Sequence, residues 1–259
     1  MLKLVSVLSL LCVSLLTFAE KVSLVQFNIE YPPLQQNING KLDGPDLQLS
    51  IEAFRRMPSF ELEVVQISIA RAMRDYRLGK LDLFFNYSNK EFQEFSLYPD
   101  YPLRWAEYRL LVLAGKGFKY ESPQDLRGKR IGLINVVPLG EELQAAKDKN
   151  YIEVSRIASH RQVLEMLKRG RVDAIFMYTD VALHYADEVG LEVEVMHPGP
   201  YSRRGFYPSI SLRAPIKNHA LLQKELSEAL GSMYRDGTHK AILQRYGVAS
   251  VVKVDGKED

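Results

Sequence analysis

Short unbroken apolar runs alternate along this chain with stretches whose apolar positions recur every three or four residues, and the alternation occurs in two copies. From Arg71 the sequence reads RAMRDYRLGKLDLFFNY, and from Arg161 it reads RQVLEMLKRGRVDAIFMY. In each copy a helical spacing ends in Gly-x-x-Asp and gives way to an apolar run, which is the pattern of a helix, a glycine stop and a buried strand. Gly79 and Gly170 fall where the chain needs the left-handed conformation after a last helical turn. Asp82 and Asp173 open strands expected over 83–85 and 174–177, a structural position at the strand entry.

The same order recurs upstream of each copy: a strand over 22–27 and a helix over 46–57 in the first, a strand over 130–134 and a helix over 140–149 in the second. Short strands over 61–67 and 152–157 complete each set, so each half reads β-α-β-α-β. Right-handed crossovers turn such units into parallel sheets covered by helices, with ligands beyond the carboxyl ends of the strands. The expected fold is therefore α/β, with two lobes facing each other across a cleft. After Pro198, Gly199 and Pro200 comes a strand over 207–213, then helices over 217–234 and 238–246. Returning that strand to the first lobe gives two chain crossings, near 108–113 and near 196–206, and two crossings make a hinge. The expected lobes are 20–109 plus 202–259, and 110–201.

The first nineteen residues change the picture of where the chain works. Lys3 precedes an apolar run over 4–16, then small residues at Thr17 and Ala19, which reads as a cleavable signal peptide over 1–19. The run is shorter than the roughly 20 residues that span a bilayer. Cys12 is the one cysteine and lies inside this segment. The exported chain is thus expected to have no disulfide, thiolate metal site or cysteine nucleophile. His160, His184, His197, His219 and His239 show no metal-ligand spacing, so no metal and no cofactor are expected. The formal charge of +2 falls to +1 on losing Lys3, with acidic and basic residues interspersed, which argues against a nucleic-acid partner. A basic cluster at Arg127, Lys129 and Arg130 flanks Gly128 and reads as a solvated loop.

A series of short motifs then carries a resemblance. In order they are Tyr31-Pro32-Pro33, Asn39-Gly40, Gly44-Pro45-Asp46, Leu78-Gly79-Lys80-Leu81-Asp82 and Tyr98-Pro99-Asp100-Tyr101-Pro102. They continue with the stretch from Pro123 to Gly132, then Gly170-Arg171-Val172-Asp173-Ala174 and Asp236-Gly237-Thr238. Their joint order resembles the type II periplasmic solute-binding proteins of ABC importers, in particular the amino-acid-binding family. The resemblance implies a periplasmic monomer that closes on a small molecule and reports to an ABC permease or a membrane sensor. It also implies acidic groups in both lobes for an ammonium and an arginine for a carboxylate. At those positions this sequence has Asn28, Phe92 and Tyr178, and Asn135 to Val137 where the family has a Gly-Ser/Thr-Thr turn. Each missing charged hydrogen bond is worth roughly 1.5–3 kcal/mol, and micromolar binding totals only about 8 kcal/mol. A free α-amino acid held in the usual way is therefore not the expected ligand.

Strand ends facing the expected cleft are rich in aromatic and amide groups. Tyr31, Tyr87, Trp105 and Tyr178 are candidates to sandwich a flat or apolar ligand body, and Asn28, Asn86, Ser88 and Asn135 to supply neutral hydrogen bonds. Arg71 and Arg104 are candidates for an anionic group, with an ion pair to an acid such as Glu107 as the alternative. The expected function is binding of an aromatic or anionic solute without chemical change, with no catalytic residue. An amino-acid binder with a divergent site, a dehydratase-like enzyme using Glu30 or Asp180, and an adaptor that has lost its ligand are the alternatives.

Overall fold

The structure is a computed structural model that describes residues 20–27, 31–88, 90–135 and 137–248. In chain order the first half carries β1 (Glu20–Phe27), the hairpin β2 (Gln36–Ile38) and β3 (Lys41–Asp43), α1 (Pro45–Arg55), β4 (Phe60–Ile67), α2 (Ile69–Arg77) and β5 (Leu83–Tyr87). Then follow α3 (Lys90–Gln93), β6 (Ser96–Leu97) and the long β7 (Arg104–Leu113). The second half carries β8 (Lys129–Ile134), α4 (Glu141–Asp148), β9 (Ile152–Ile157), α5 (His160–Lys168), β10 (Ala174–Tyr178), α6 (Thr179–Glu188) and β11 (Val193–Val195). The chain ends with β12 (Tyr201–Ser211), α7 (His219–Asp236) and α8 (Thr238–Arg245).

The repeat is real at the level of the sheet. β1 pairs in parallel with β4 and β5, and β8 pairs in parallel with β9 and β10, so each half has its first strand in the middle. The helices start alike as well. Ser68 caps α2 by accepting from the Arg71 amide, and Ser159 caps α5 by accepting from the Gln162 amide. Both copies stop on a glycine with positive φ, +70° at Gly79 and +63° at Gly170. The two glycines are not equivalent: a Cβ at Gly79 would lie 2.2 Å from the Arg213 carbonyl oxygen, whereas one at Gly170 would meet open space. Gly170→Ala should accordingly cost only the left-handed backbone term, about 1–2 kcal/mol, read as a shift in the urea midpoint at unchanged slope.

The two halves join through β7 and β12. Residues 201–206 of β12 pair antiparallel with 109–104 of β7, and the rest of β12 pairs with β5, while β7 pairs on its other side with β10. The sheet therefore runs β4-β1-β5-β12-β7-β10-β8-β9, with the two crossing strands at its centre. β12 begins six residues earlier than the apolar pattern indicates. Its first half, Tyr-Ser-Arg-Arg-Gly-Phe, is polar, and it is strand because β7 satisfies its backbone.

The basic cluster is also not simply solvated. Arg130 grips Asp173 through Nε and Nη2 at 3.1 and 2.8 Å, Arg127 lies 4.4 Å over the Tyr151 ring, and Lys129 lies 4.6 Å over Phe118. The Arg130 hydrogen bonds hold the Asp173 carboxyl below the usual aspartate range. Among the described residues no helix is long and apolar enough to cross a membrane, and no group of three His, Cys, Asp or Glu side chains could hold a metal ion. The proposed signal segment and Cys12 lie outside the described residues.

Candidate ligand-binding site

The site is built on the face of the β7–β12 ribbon that carries Arg104, Ala106 and Tyr108. Strand alternation sends every second residue to that face, and the pairing Arg104↔Phe206 adds Phe206 to it. The neighbouring strands bring their last residues alongside: Tyr87 pairs with Phe206 from β5, and Tyr178 pairs with Tyr108 from β10. Their rings meet, with centroids 5.1 Å apart for Tyr87–Phe206 and 5.9 Å apart for Tyr108–Tyr178. The Tyr87 and Tyr108 hydroxyls are 3.0 Å apart. Tyr31, on the loop after β1, completes the group.

Arg104 forms the floor of this aromatic cluster. It is 2% exposed, and its guanidinium lies 4.3 Å from the Phe206 ring centroid and 5.3 Å from that of Tyr178. Its Nε and Nη2 donate to the two carboxylate oxygens of Asp46, at 2.6 and 3.2 Å. Asp46 sits in the first turn of α1 behind Pro45, where a carboxylate also suits the helix dipole. Burial works against the charge on Arg104, but Asp46 outweighs it and holds the guanidinium protonated well above its ordinary range. The third nitrogen, Nη1, is buried and has no hydrogen-bond partner among the described residues. Burial, with the neighbouring phenols, pushes the hydroxyls of Tyr31 and Tyr108 far up, and Arg104 offsets only part of the shift. Tyr31 and Tyr108 are therefore neutral donors and acceptors.

Of the residues expected at the cleft, the structure thus brings together Tyr31, Tyr87, Arg104 and Tyr178. It does not bring the others. Arg104 was expected to hold a ligand anion or to pair with Glu107, and its carboxylate is instead Asp46. Glu107 lies on the opposite face, near Arg109 and Arg203. Trp105 follows Arg104 and so points to that opposite face too, where the Arg203 guanidinium covers its ring at 4.2 Å. Asn86 likewise alternates away from Tyr87: it is 7% exposed and donates to Ser209 Oγ at 2.9 Å, in a buried polar group with Tyr76 and Ser96. Arg71 is exposed on α2 and pairs with Asp75 at 3.3 Å. Ser88 is exposed and accepts from Gln93, and Asn135 is exposed with its carbonyl accepting from Arg156. Asn28 and Glu30 lie outside the described residues. Asp180 is buried in the first turn of α6. Phe92, which the resemblance set against the family's arginine, is a core residue stacked on Phe84.

The structure adds Asp46, Tyr108, Phe206, His160 and Tyr185, which the sequence reading passed over. For Tyr108 a signal was available, because the even spacing from Arg104 in an extended run fixes a shared face. For Asp46 there was none, since it meets Arg104 across 58 residues.

Comparison with known proteins places this geometry. The model of a family described as "ABC transporter, phosphonate, periplasmic substrate-binding protein" matches residues 102–259, more than half of the chain. The chain belongs to this family of ABC-transporter substrate-binding proteins. Among its relatives, this substrate-binding protein is 26% identical over 248 residues to ABC transporter arginine-binding protein 1 of Escherichia coli, covering 93% of this chain and 97% of that protein. It is 23% identical over 219 residues to a probable amino-acid-binding protein of Bacillus subtilis, covering 83% and 79% of the two chains. A solved structure of a probable amino-acid ABC transporter extracellular-binding protein from Bacillus subtilis superposes on 89% of this chain and 100% of that one, with a TM-score of 0.68 at 18% identity. The fold is thus the two-lobed type II fold of periplasmic binding proteins.

Proposed function

We propose that this substrate-binding protein captures a small organic solute with an aromatic body and an acceptor oxygen, without transforming it, and presents it to an ABC permease or a membrane sensor. The observation that carries this reading is the unpartnered Arg104 Nη1 among Tyr31, Tyr87, Tyr108 and Tyr178. A buried charged N–H without a partner costs about 1–3 kcal/mol or more, and a ligand oxygen placed there recovers it. Asp46 already neutralises most of the guanidinium charge, so what the nitrogen calls for is an acceptor oxygen, such as that of a carboxylate, phosphonate or carbonyl. The surrounding phenol rings supply faces for a flat body and hydroxyls for its edges. Two phenols, Tyr31 and Tyr178, come from opposite halves of the chain, so a ligand touching both favours the closed arrangement of the proposed lobes 20–109 plus 202–259 and 110–201. The relatives are named as binding proteins, two of them of ABC transporters, and the family as periplasmic, which supports binding without catalysis and a periplasmic location; a monomer exported by a signal peptide over 1–19 is part of the same proposal.

The test is calorimetric titration with benzoate, phenylphosphonate, L-tyrosine and L-arginine, preceded by native mass spectrometry of the protein purified without added ligand. An aromatic acid should bind more tightly than L-arginine, and Tyr178→Ala should weaken it about tenfold or more, the worth of roughly 1.4 kcal/mol. Tighter binding of L-arginine than of every aromatic probe, or an unchanged Kd in Tyr178→Ala, would overturn the reading.

A further inference from the structure

One contact crosses the cleft without involving the hinge strands. Tyr31, on the loop after β1, meets His160, the first residue of α5, with ring centroids 5.2 Å apart at 57°. His160 in turn lies parallel to Tyr185 of α6, with centroids 5.1 Å apart at 4°. The imidazole is therefore held between one aromatic ring of the first half and one of the second. We propose that the Tyr31–His160–Tyr185 stack is a latch between the lobes and that protonation of His160 releases it, so that the cleft opens as the medium becomes acidic.

The chemistry around the ring sets the sign. On its own helix, Arg161 lies 5.4 Å from the Tyr185 ring centroid and is tied to Glu188 at 2.5 Å, so the ring against which His160 stacks already carries a cation. From α6 come Tyr185, His184, which meets Tyr185 edge-on, and Asp180 in the first turn. From the first half comes Tyr31, behind which the Arg104–Asp46 pair and the Tyr87 and Tyr178 phenols sit. Among the described residues, no carboxylate hydrogen-bonds to His160, so an imidazolium formed there is half-buried with no carboxylate bonded to it. Burial lowers the affinity of His160 for its proton. Opening separates His160 from Tyr31 and returns that side of the ring to water, which raises its affinity toward the ordinary value while the stack on Tyr185 stays. The proton therefore binds the open form more tightly, and by linkage it favours that form. Each unit by which closure lowers the pKa is worth a factor of about ten in the closed-to-open ratio. The latch depends on two-lobed closure, and not on which solute the cleft takes.

The experiment uses the whole chain without added ligand. Spin labels go on exposed lysines, one in each half, as K80C and K168C in a C12S background, and their distance distribution is recorded at pH 8 and pH 5. A severalfold shift toward the open distance at pH 5 is expected in the parent. It should vanish in H160Q, which cannot take up the proton, and in Y31L, which lacks the ring across the cleft. Identical distributions at the two pH values in the parent, or a shift that survives in H160Q or Y31L, would remove the proposal. Failure of the aromatic probes to bind leaves this result untouched, because no solute is present.

Discussion

Replacing Arg104 alone by Leu is expected to destabilise the protein by about 3–5 kcal/mol, because it leaves the Asp46 carboxylate buried with nothing to balance it. The two side chains are only 3% and 4% exposed, and their hydrogen bonds are bidentate, so solvent neither screens the pair nor substitutes for a lost partner. Against a total stability of roughly 5–15 kcal/mol for a domain, that loss is severe. The double variant Asp46→Leu/Arg104→Leu should recover most of it, since burying two apolar chains carries no charge penalty. Urea denaturation of the parent, both single variants and the double closes a double-mutant cycle. Near-additive losses would show that the ion pair is not the unit holding α1 to the hinge ribbon. The same cycle separates stability from binding: the double variant should fold yet bind no aromatic acid, because the Arg104 Nη1 donor is gone.

Lowering the pH from 6.5 to 4 should remove about 3 kcal/mol of stability through a single buried histidine. His239 is 2% exposed, stacks on Tyr234 at 4.0 Å, and donates from Nε2 to the Leu103 carbonyl at 2.8 Å. Burial lowers its pKa from 6.5 to about 4, against the smaller opposing effect of that hydrogen bond. The unfolded chain therefore takes up the proton first as pH falls. Stability is undiminished above pH 6.5 and is lost progressively down to about pH 4. At about 1.36 kcal/mol per unit, the 2.5 units from 6.5 to 4 give the estimate. The depressed carboxylates Glu52 and Asp236, both near pKa 2, begin to lose their contribution only as pH falls through their ordinary values of 4.5 and 3.8, so the upper part of the window belongs to histidine. His239→Gln, whose amide can still reach Leu103, should flatten the profile between pH 6.5 and 4.5 apart from a smaller fall due to His160. An unchanged pH profile of the urea midpoint in that variant would overturn the assignment.

These expectations separate what the chain pattern reveals from what it hides. The repeated Gly-x-x-Asp and the apolar runs behind it gave the strands, the parallel order and the crossing points, because burial on both faces of a sheet leaves a local signature. The site was legible only in part. Tyr87 and Tyr178 stand at strand ends and Tyr31 on the loop after one, so position in the chain alone selected them. Arg104 joins them in the aromatic cluster, but its partner was misread, since a neighbour in sequence on a strand points the other way while the acid that binds it comes from the start of a distant helix. Trp105 and Asn86 fail for the same reason. Each is one residue from a member of the aromatic cluster, and a period of two sends each to the opposite face.

The sequence by itself determined the α/β repeat and the glycine stops after α2 and α5. Hydrophobic spacing and backbone conformation act over a few residues, so they are written locally. Only the tertiary structure decided that Asp46 satisfies Arg104, that Tyr108 joins Tyr87, and that His160 meets Tyr31. These pairings depend on strand register and on the approach of one lobe to the other, which bring together groups far apart in the chain.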